Sequence, residues 1–198
     1  MKKLYYILPF TILFACGSEE VKETTKNQES VVETIQKEKE TNNDRKSPRT
    51  QLEIEADDLS FSVDYGSPRV KGRIVWGDLV AYDEVWRAGA DETTAITFDQ
   101  DVLFGENTVS AGTYALFIVP HMEGNWNIIL NEEWSKEEHD VWGAYDYDAS
   151  KDVLSVEANP ETVSENEENL TYDFQEGQFI FRWEKIQLSV SLTTAPAV

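Results

Sequence analysis

The stretch LSFSVDYG at positions 59–66 alternates Leu59, Phe61, Val63 and Tyr65 with Ser60, Ser62 and Asp64. A period of two places the apolar set on one face of a strand and the polar set on the other, so this segment reads as a half-buried β-strand. Short β-rich runs recur along the rest of the chain: GRIVWG (72–77), TAITF (94–98), NWNIILN (125–131), DVLSVEA (152–158), LTYDFQ (170–175) and QFIFRWEKIQLSVSL (178–192). The segment 101–120 holds two more, turned at Gly105-Glu106-Asn107, with a second turn or bulge at Ala111-Gly112. Gln175-Glu176-Gly177-Gln178 is a hairpin signal. No ten-residue stretch shows helical periodicity. The nearest is EEWSKEEHDVW (132–142), which suits a turn or two. The expectation is an all-β domain over residues 51–198, an antiparallel β-sandwich or barrel-like fold of about nine strands.

The residues before it read as an address and a tether. Lys2 and Lys3 precede an apolar run at 4–14, which has the length of a signal-peptide core and is too short to span a bilayer. Leu13-Phe14-Ala15-Cys16 resembles the lipobox of bacterial lipoproteins, although Phe14 is bulkier than the usual residue there. The expectation is a signal peptide over 1–15 and lipidation at Cys16, giving a membrane partner through the lipid anchor. Gly17-Ser18-Glu19-Glu20 resembles the signal that sends lipoproteins of Bacteroidota to the outer face of the outer membrane. Residues 17–50 carry eight acids, seven bases and no aromatic residue. Such a composition buries too little surface to offset its ordering entropy, so residues 16–50 read as an acylated cysteine and a disordered linker. As a flexible coil it would span roughly 30 Å.

Charge and cysteine usage exclude several classes. The formal net charge is −21, which disfavours nucleic acid as a partner because phosphate binding needs a basic face. Cys16 is the sole cysteine, so no intrachain disulfide forms and stability rests on packing.

The segments SPRVKGRIVWGDLVAYDEVWRAGADETTAITFDQDV, AGTYALFIVP, WNIILN, WGAYDYDASKDVLSV and LTYDF, taken together, resemble the bacterial family known as domain of unknown function 2911. The resemblance covers roughly residues 55–192. It implies an exported or lipid-anchored protein of the Bacteroidota type, and no activity. The family's hallmark is a Trp-Arg-x-Gly-Ala-Asn-Glu run. Trp86, Arg87, Gly89, Ala90 and Glu92 match it, and Asp91 stands where the family has asparagine.

VWRAGADETTAITF (85–98) is the richest chemical stretch. Gly89 allows a sharp turn with positive φ, which would bring Arg87 and Glu92 close enough for a fork-to-carboxylate pair. One reading makes this pair structural, with Trp86 filling a core corner. Another makes Trp86 and Arg87 a ligand platform, an indole face beside a guanidinium. In that reading the resemblance supplies Ser67, Arg69, Tyr114, Trp142 and Tyr145 as companions. A third uses Asp91 and Glu92 as general acid and base. Adjacent residues on a strand face opposite ways, however, so a second acid from elsewhere would be required.

Asp146, Asp148, Ser150, Asp152 and Glu157 fall at positions 1, 3, 5, 7 and 12 of a calcium-loop pattern. Lys151 occupies the position that needs glycine, and a strand follows, so an EF-hand is excluded. A calcium site of another kind at Asp146, Asp148 and Asp152 stays open, against a plain acidic turn. Zinc has only His121 and His139 to draw on, and Ser67 lacks a nucleophile elbow. The functional expectation is a surface or periplasmic lipoprotein. It would act as a non-enzymatic binding or structural module for a polar small ligand, glycan or envelope partner, with an extracytoplasmic glycan hydrolase as the alternative.

Overall fold

The computed structural model describes residues 34–42 and 44–196, so the expected signal peptide, Cys16 and linker residues 17–33 lie outside the described residues. The strands are β1 (Thr34–Asn42), β2 (Arg49–Ala56), β3 (Leu59–Gly66), β4 (Ala95–Phe98), β5 (Val102–Phe104), β6 (Asn107–Val109), β7 (Gly112–Val119), β8 (Trp126–Asn131), β9 (Asp152–Ala158), β10 (Glu161–Gln175) and β11 (Gln178–Thr194). A single-turn helix, α1 (Lys136–His139), lies between β8 and β9. One sheet runs β1-β2-β3-β4-β7-β8-β9 and the other β10-β11-β5-β6, with every paired neighbour antiparallel. The result is an all-β sandwich of two open sheets, not a closed barrel.

The period of two works as the sequence dictates. In β3, Leu59, Phe61, Val63 and Tyr65 are buried while Ser60, Ser62 and Asp64 are half-exposed. Phe61 meets Phe98 of its own sheet and both Phe174 and Phe179 of the other, with ring centroids 5.5–6.3 Å apart. The interior is therefore an aromatic layer held between sheets. The β10–β11 hairpin closes at Glu176 (φ 51°) and Gly177 (φ 73°), the pair of left-handed residues that a two-residue turn needs.

Three expectations change. GRIVWG (72–77) is a run of turns and bends rather than a strand, because Lys71, Gly72 and Gly77 all take positive φ. Segment 101–120 holds three strands, β5, β6 and β7, not two. The expected linker ends earlier than residue 50. Residues 34–42 form β1, laddered to β2 from Thr34 opposite Ala56 to Asn42 opposite Arg49. Nothing in TIQKEKETN offers an apolar face. An edge strand needs only its backbone ladder, however, and alternating Lys and Glu is how edges are kept from pairing further.

Two long excursions leave the seven-stranded sheet, residues 67–94 between β3 and β4 and residues 132–151 between β8 and β9. The second covers part of the sheet's outer face. Ala115, Phe117 and Ile129 are buried there beneath Trp134, Ala144 and Tyr147, so β7 is buried on both faces along its middle.

Candidate functional site

Trp86 sits in the first excursion and pairs with Ile118 of β7 through two backbone hydrogen bonds of 2.9 and 2.8 Å. Extended pairing sends adjacent side chains to opposite faces. The Trp86 indole turns inward, stacks on Trp183 (5.6 Å, 18°) and abuts Trp76 and Phe181. It is half-buried and packed against the core rather than standing out as an exposed platform. The Arg87 side chain goes the other way and lies against Gly143 of the second excursion, where an added Cβ would stand 2.8 Å from Arg87 Cδ.

The chain then folds back on itself. The left-handed positions are Ala88 (φ 49°) and Asp91 (φ 64°), not Gly89. Glycine is needed at 89 for space. A Cβ there would sit 2.5 Å from Thr94 Oγ1 and 3.1 Å from the Gly66 carbonyl oxygen. Gly66 is packed harder still, since its Cβ would fall 2.1 Å from the Ala90 oxygen. The Tyr172 hydroxyl donates to the Ala88 carbonyl at 2.6 Å and locks the turn to the opposite sheet. Position 91 favours Asn or Asp for its backbone conformation, which accounts for aspartate in place of the hallmark's asparagine.

This double turn separates Arg87 from Glu92, and the expected pair between them does not form. Glu92 is held by Arg45 instead, whose Nη2 donates to both carboxylate oxygens at 2.9 and 2.8 Å. Arg45 also reaches Asp91 at 3.3 Å, and Arg49 lies 3.9 Å from Glu92. Arg49 donates through Nε to Asp64 at 2.8 Å and through Nη2 to the Thr93 carbonyl at 3.1 Å. Both arginines come from the stretch read as linker. They are the only arginines before residue 50 among many lysines, and that was the available signal.

The network forms one side of a cleft of about 280 Å³. Arg45, Arg49, Asp64 and Glu92 line it together with Trp134 and Trp142 of the second excursion. Ser135 caps α1 by accepting from the Glu138 backbone N–H at 3.1 Å, and Asp140 ends the helix with φ 60°. The Thr93 hydroxyl donates to the Gly143 carbonyl at 3.2 Å and joins the two walls. Trp142 remains 39% exposed. Burial alone would raise the Glu92 carboxyl, but the Arg45 hydrogen bond and the charges of Arg45 and Arg49 hold it below the ordinary carboxylate value. Glu92 is thus an ionised acceptor near neutral pH.

The other sequence candidates disperse. The Ser67 hydroxyl donates to the Leu170 carbonyl at 2.8 Å, exposed Arg69 bridges to Asn169, and the Tyr114 hydroxyl donates to the Ser110 carbonyl at 2.9 Å. None of these three lines the cleft, and Tyr145, 82% exposed, does not line it either. The calcium-loop carboxylates serve the local chain. Asp146 accepts from the Trp142 N–H at 3.2 Å and Asp148 from the Ser150 N–H at 2.9 Å. Asp152 accepts from Asn131 Nδ2 at 2.8 Å and from the Tyr147 hydroxyl at 2.6 Å. Among the described residues no group of three or more His, Cys, Asp or Glu is placed to hold a metal ion. His121 lies in a loop, with Nδ1 2.6 Å from Asp83 and Nε2 2.8 Å from Asn127.

A family model described as protein of unknown function (DUF2911) matches residues 47–192. Comparison with curated proteins and with solved structures finds no match.

Proposed function

The chain belongs to the family described as protein of unknown function (DUF2911), and from that premise we propose that its domain is a non-enzymatic binding module for a glycan. The cleft beside Trp142 is the binding site. The observation that carries this reading is the composition of that cleft, a half-exposed indole over a lattice of paired arginines and carboxylates. An indole face suits the C–H face of a sugar ring, while fixed carboxylate and guanidinium groups suit its hydroxyls. Glu92 favours binding over hydrolysis. A glycosidase needs one carboxyl kept protonated near neutral pH, and Arg45 keeps this one charged. The proposal includes an acylated Cys16 that anchors the domain at the outer membrane, on the strength of the lipobox-like Leu13-Phe14-Ala15-Cys16.

The test is a titration of the protein with neutral mono- and oligosaccharides, read by intrinsic fluorescence and calorimetry. Saturable binding that quenches the wild type, and that Trp142→Ala reduces at least tenfold without lowering the melting temperature, is the expected result. Binding unaffected by Trp142→Ala would move the site elsewhere. Release of reducing ends during incubation would favour the hydrolase.

A further inference from the structure

Residues 51–198 hold eight lysines and arginines, and three of them, Arg69, Lys71 and Arg73, fall within five positions of the first excursion. All three are exposed, and none forms an ion pair with a described residue. Arg73 donates through Nε to the Val70 carbonyl at 3.1 Å and through Nη2 to that of Arg69, so its position is fixed while its charge stays unmatched. Against these three stand Asp78, the single acid from Ser67 to Val80, and Glu168 of β10, which accepts from the Lys71 backbone N–H at 3.0 Å. In a protein of net charge −21, positive charge outweighs negative in this stretch.

The same stretch carries two exposed large apolar side chains, Ile74 at 70% and Leu79 at 43%. Backbone hydrogen bonds from Leu79 to Ile74 (3.3 Å) and from Val80 to Val75 (2.9 Å) set the two short runs side by side. Val75 and Val80 are buried, so the residues before them, Ile74 and Leu79, turn outward as neighbours. None of the residues from 69 to 79 lines the Trp142 cleft or the other larger clefts. An apolar pair beside unmatched cations, outside any cavity, suits a partner that is itself a broad, yielding surface. We propose that the 69–79 loop docks on an anionic phospholipid bilayer. Ile74 and Leu79 enter the boundary between headgroups and acyl chains, and Arg69, Lys71 and Arg73 meet lipid phosphates. The acidic remainder of the surface is repelled from such a bilayer, so the contact also sets which way the domain faces. The Cys16 anchor proposed above would keep the loop near a membrane, where a weak contact suffices, but the docking does not depend on it.

The test uses the chain from residue 16 onward with Cys16→Ser, so that no acyl chain contributes and the anchor is not on trial. Vesicles are made of equal parts phosphatidylglycerol and phosphatidylcholine, or of phosphatidylcholine alone. Sedimentation gives the bound fraction, and an environment-sensitive dye on Ile74→Cys reports on the loop itself. The chain should bind the mixed vesicles about tenfold better than phosphatidylcholine alone, with a blue shift of the dye, and added salt should release it. Arg69→Gln with Lys71→Gln, and separately Ile74→Ser with Leu79→Ser, should each weaken binding at least about tenfold. All four side chains are exposed, so the melting temperature should not move. If Leu79→Ser does lower it, Ile74→Ser alone takes the place of that pair. No binding to the mixed vesicles, equal binding to phosphatidylcholine, binding without a dye shift, or full binding by either variant overturns the inference.

Discussion

Glu92 answers to Arg45 and not to Arg87, and a double-mutant cycle can show it. Arg45→Met, Arg87→Met and Glu92→Gln would be made singly, together with the 45/92 and 87/92 doubles. The Glu92 side chain is 34% exposed and that of Arg45 28%, so the pair is neither a free surface contact nor a buried one. Surface pairs are worth at most about 1 kcal/mol, and removing one member of a fully buried pair costs about 3–5 kcal/mol. One Arg45 nitrogen bridging both carboxylate oxygens, discounted for solvent, places the 45/92 coupling at about 1 kcal/mol. In a domain of this size that corresponds to about 2–4 °C in melting temperature. The coupling between 87 and 92 should be zero within error. Urea denaturation of all variants at pH 7 gives both numbers. The folded-state carboxyl of Glu92 is lowered, so its contribution is present above the unfolded value near 4.5 and is lost as pH falls through the folded one. Repeating the cycle at pH 3 should therefore shrink the coupling. A 45/92 coupling near zero at pH 7, or an 87/92 coupling above it, would refute the assignment.

Gly66→Ala should be severely destabilising, because its Cβ would lie 2.1 Å from a backbone oxygen that cannot swing away; a soluble variant within about 1 kcal/mol of wild type in urea would contradict this. The Asp83 and Asn127 hydrogen bonds raise the His121 imidazole above its ordinary value. Its contribution to stability is thus complete below about pH 6.5 and disappears as pH rises through the folded value. His121→Gln should flatten the stability profile between pH 6 and 9, measured by thermal melts in matched buffers. Limited trypsin digestion should spare the Lys37 and Lys39 sites within β1, so the resistant core should begin at or before Thr34; rapid cutting at both would show that β1 is not held to the sheet.

The interior was legible because each strand there carries its own pattern. LSFSVDYG declares its buried face without reference to anything else, and the hairpin at Glu176-Gly177 declares its turn. Polar strand β1 was not legible, since it exists through the ladder supplied by β2 and not through any apolar periodicity of its own. GRIVWG misled for the opposite reason. Its composition is that of a strand, but its glycines bend the chain so that Val75 is buried and Trp76 packs into the aromatic cluster. At the site, proximity in sequence suggested Arg87 for Glu92. The true partner lies 47 positions earlier, a juxtaposition created only when the β1–β2 connection folds beside the first excursion. Trp142 could be singled out by resemblance, but its neighbour Trp134 and the paired Arg49 and Asp64 needed the fold to bring them together.

The edge strand β10 slips register twice against β11. Between Thr162 and Glu167 its partner advances only from Ile186 to Glu184, and between Glu167 and Thr171 only to Arg182. Glu161, Glu165 and Glu168 stand exposed along this irregular margin. A second molecule offering a straight strand would find the hydrogen-bonding groups out of step and a row of like charges in the way. An incoming strand of a second copy would meet this offset ladder, and that part of the obstacle is backbone geometry, which a change of salt does not screen.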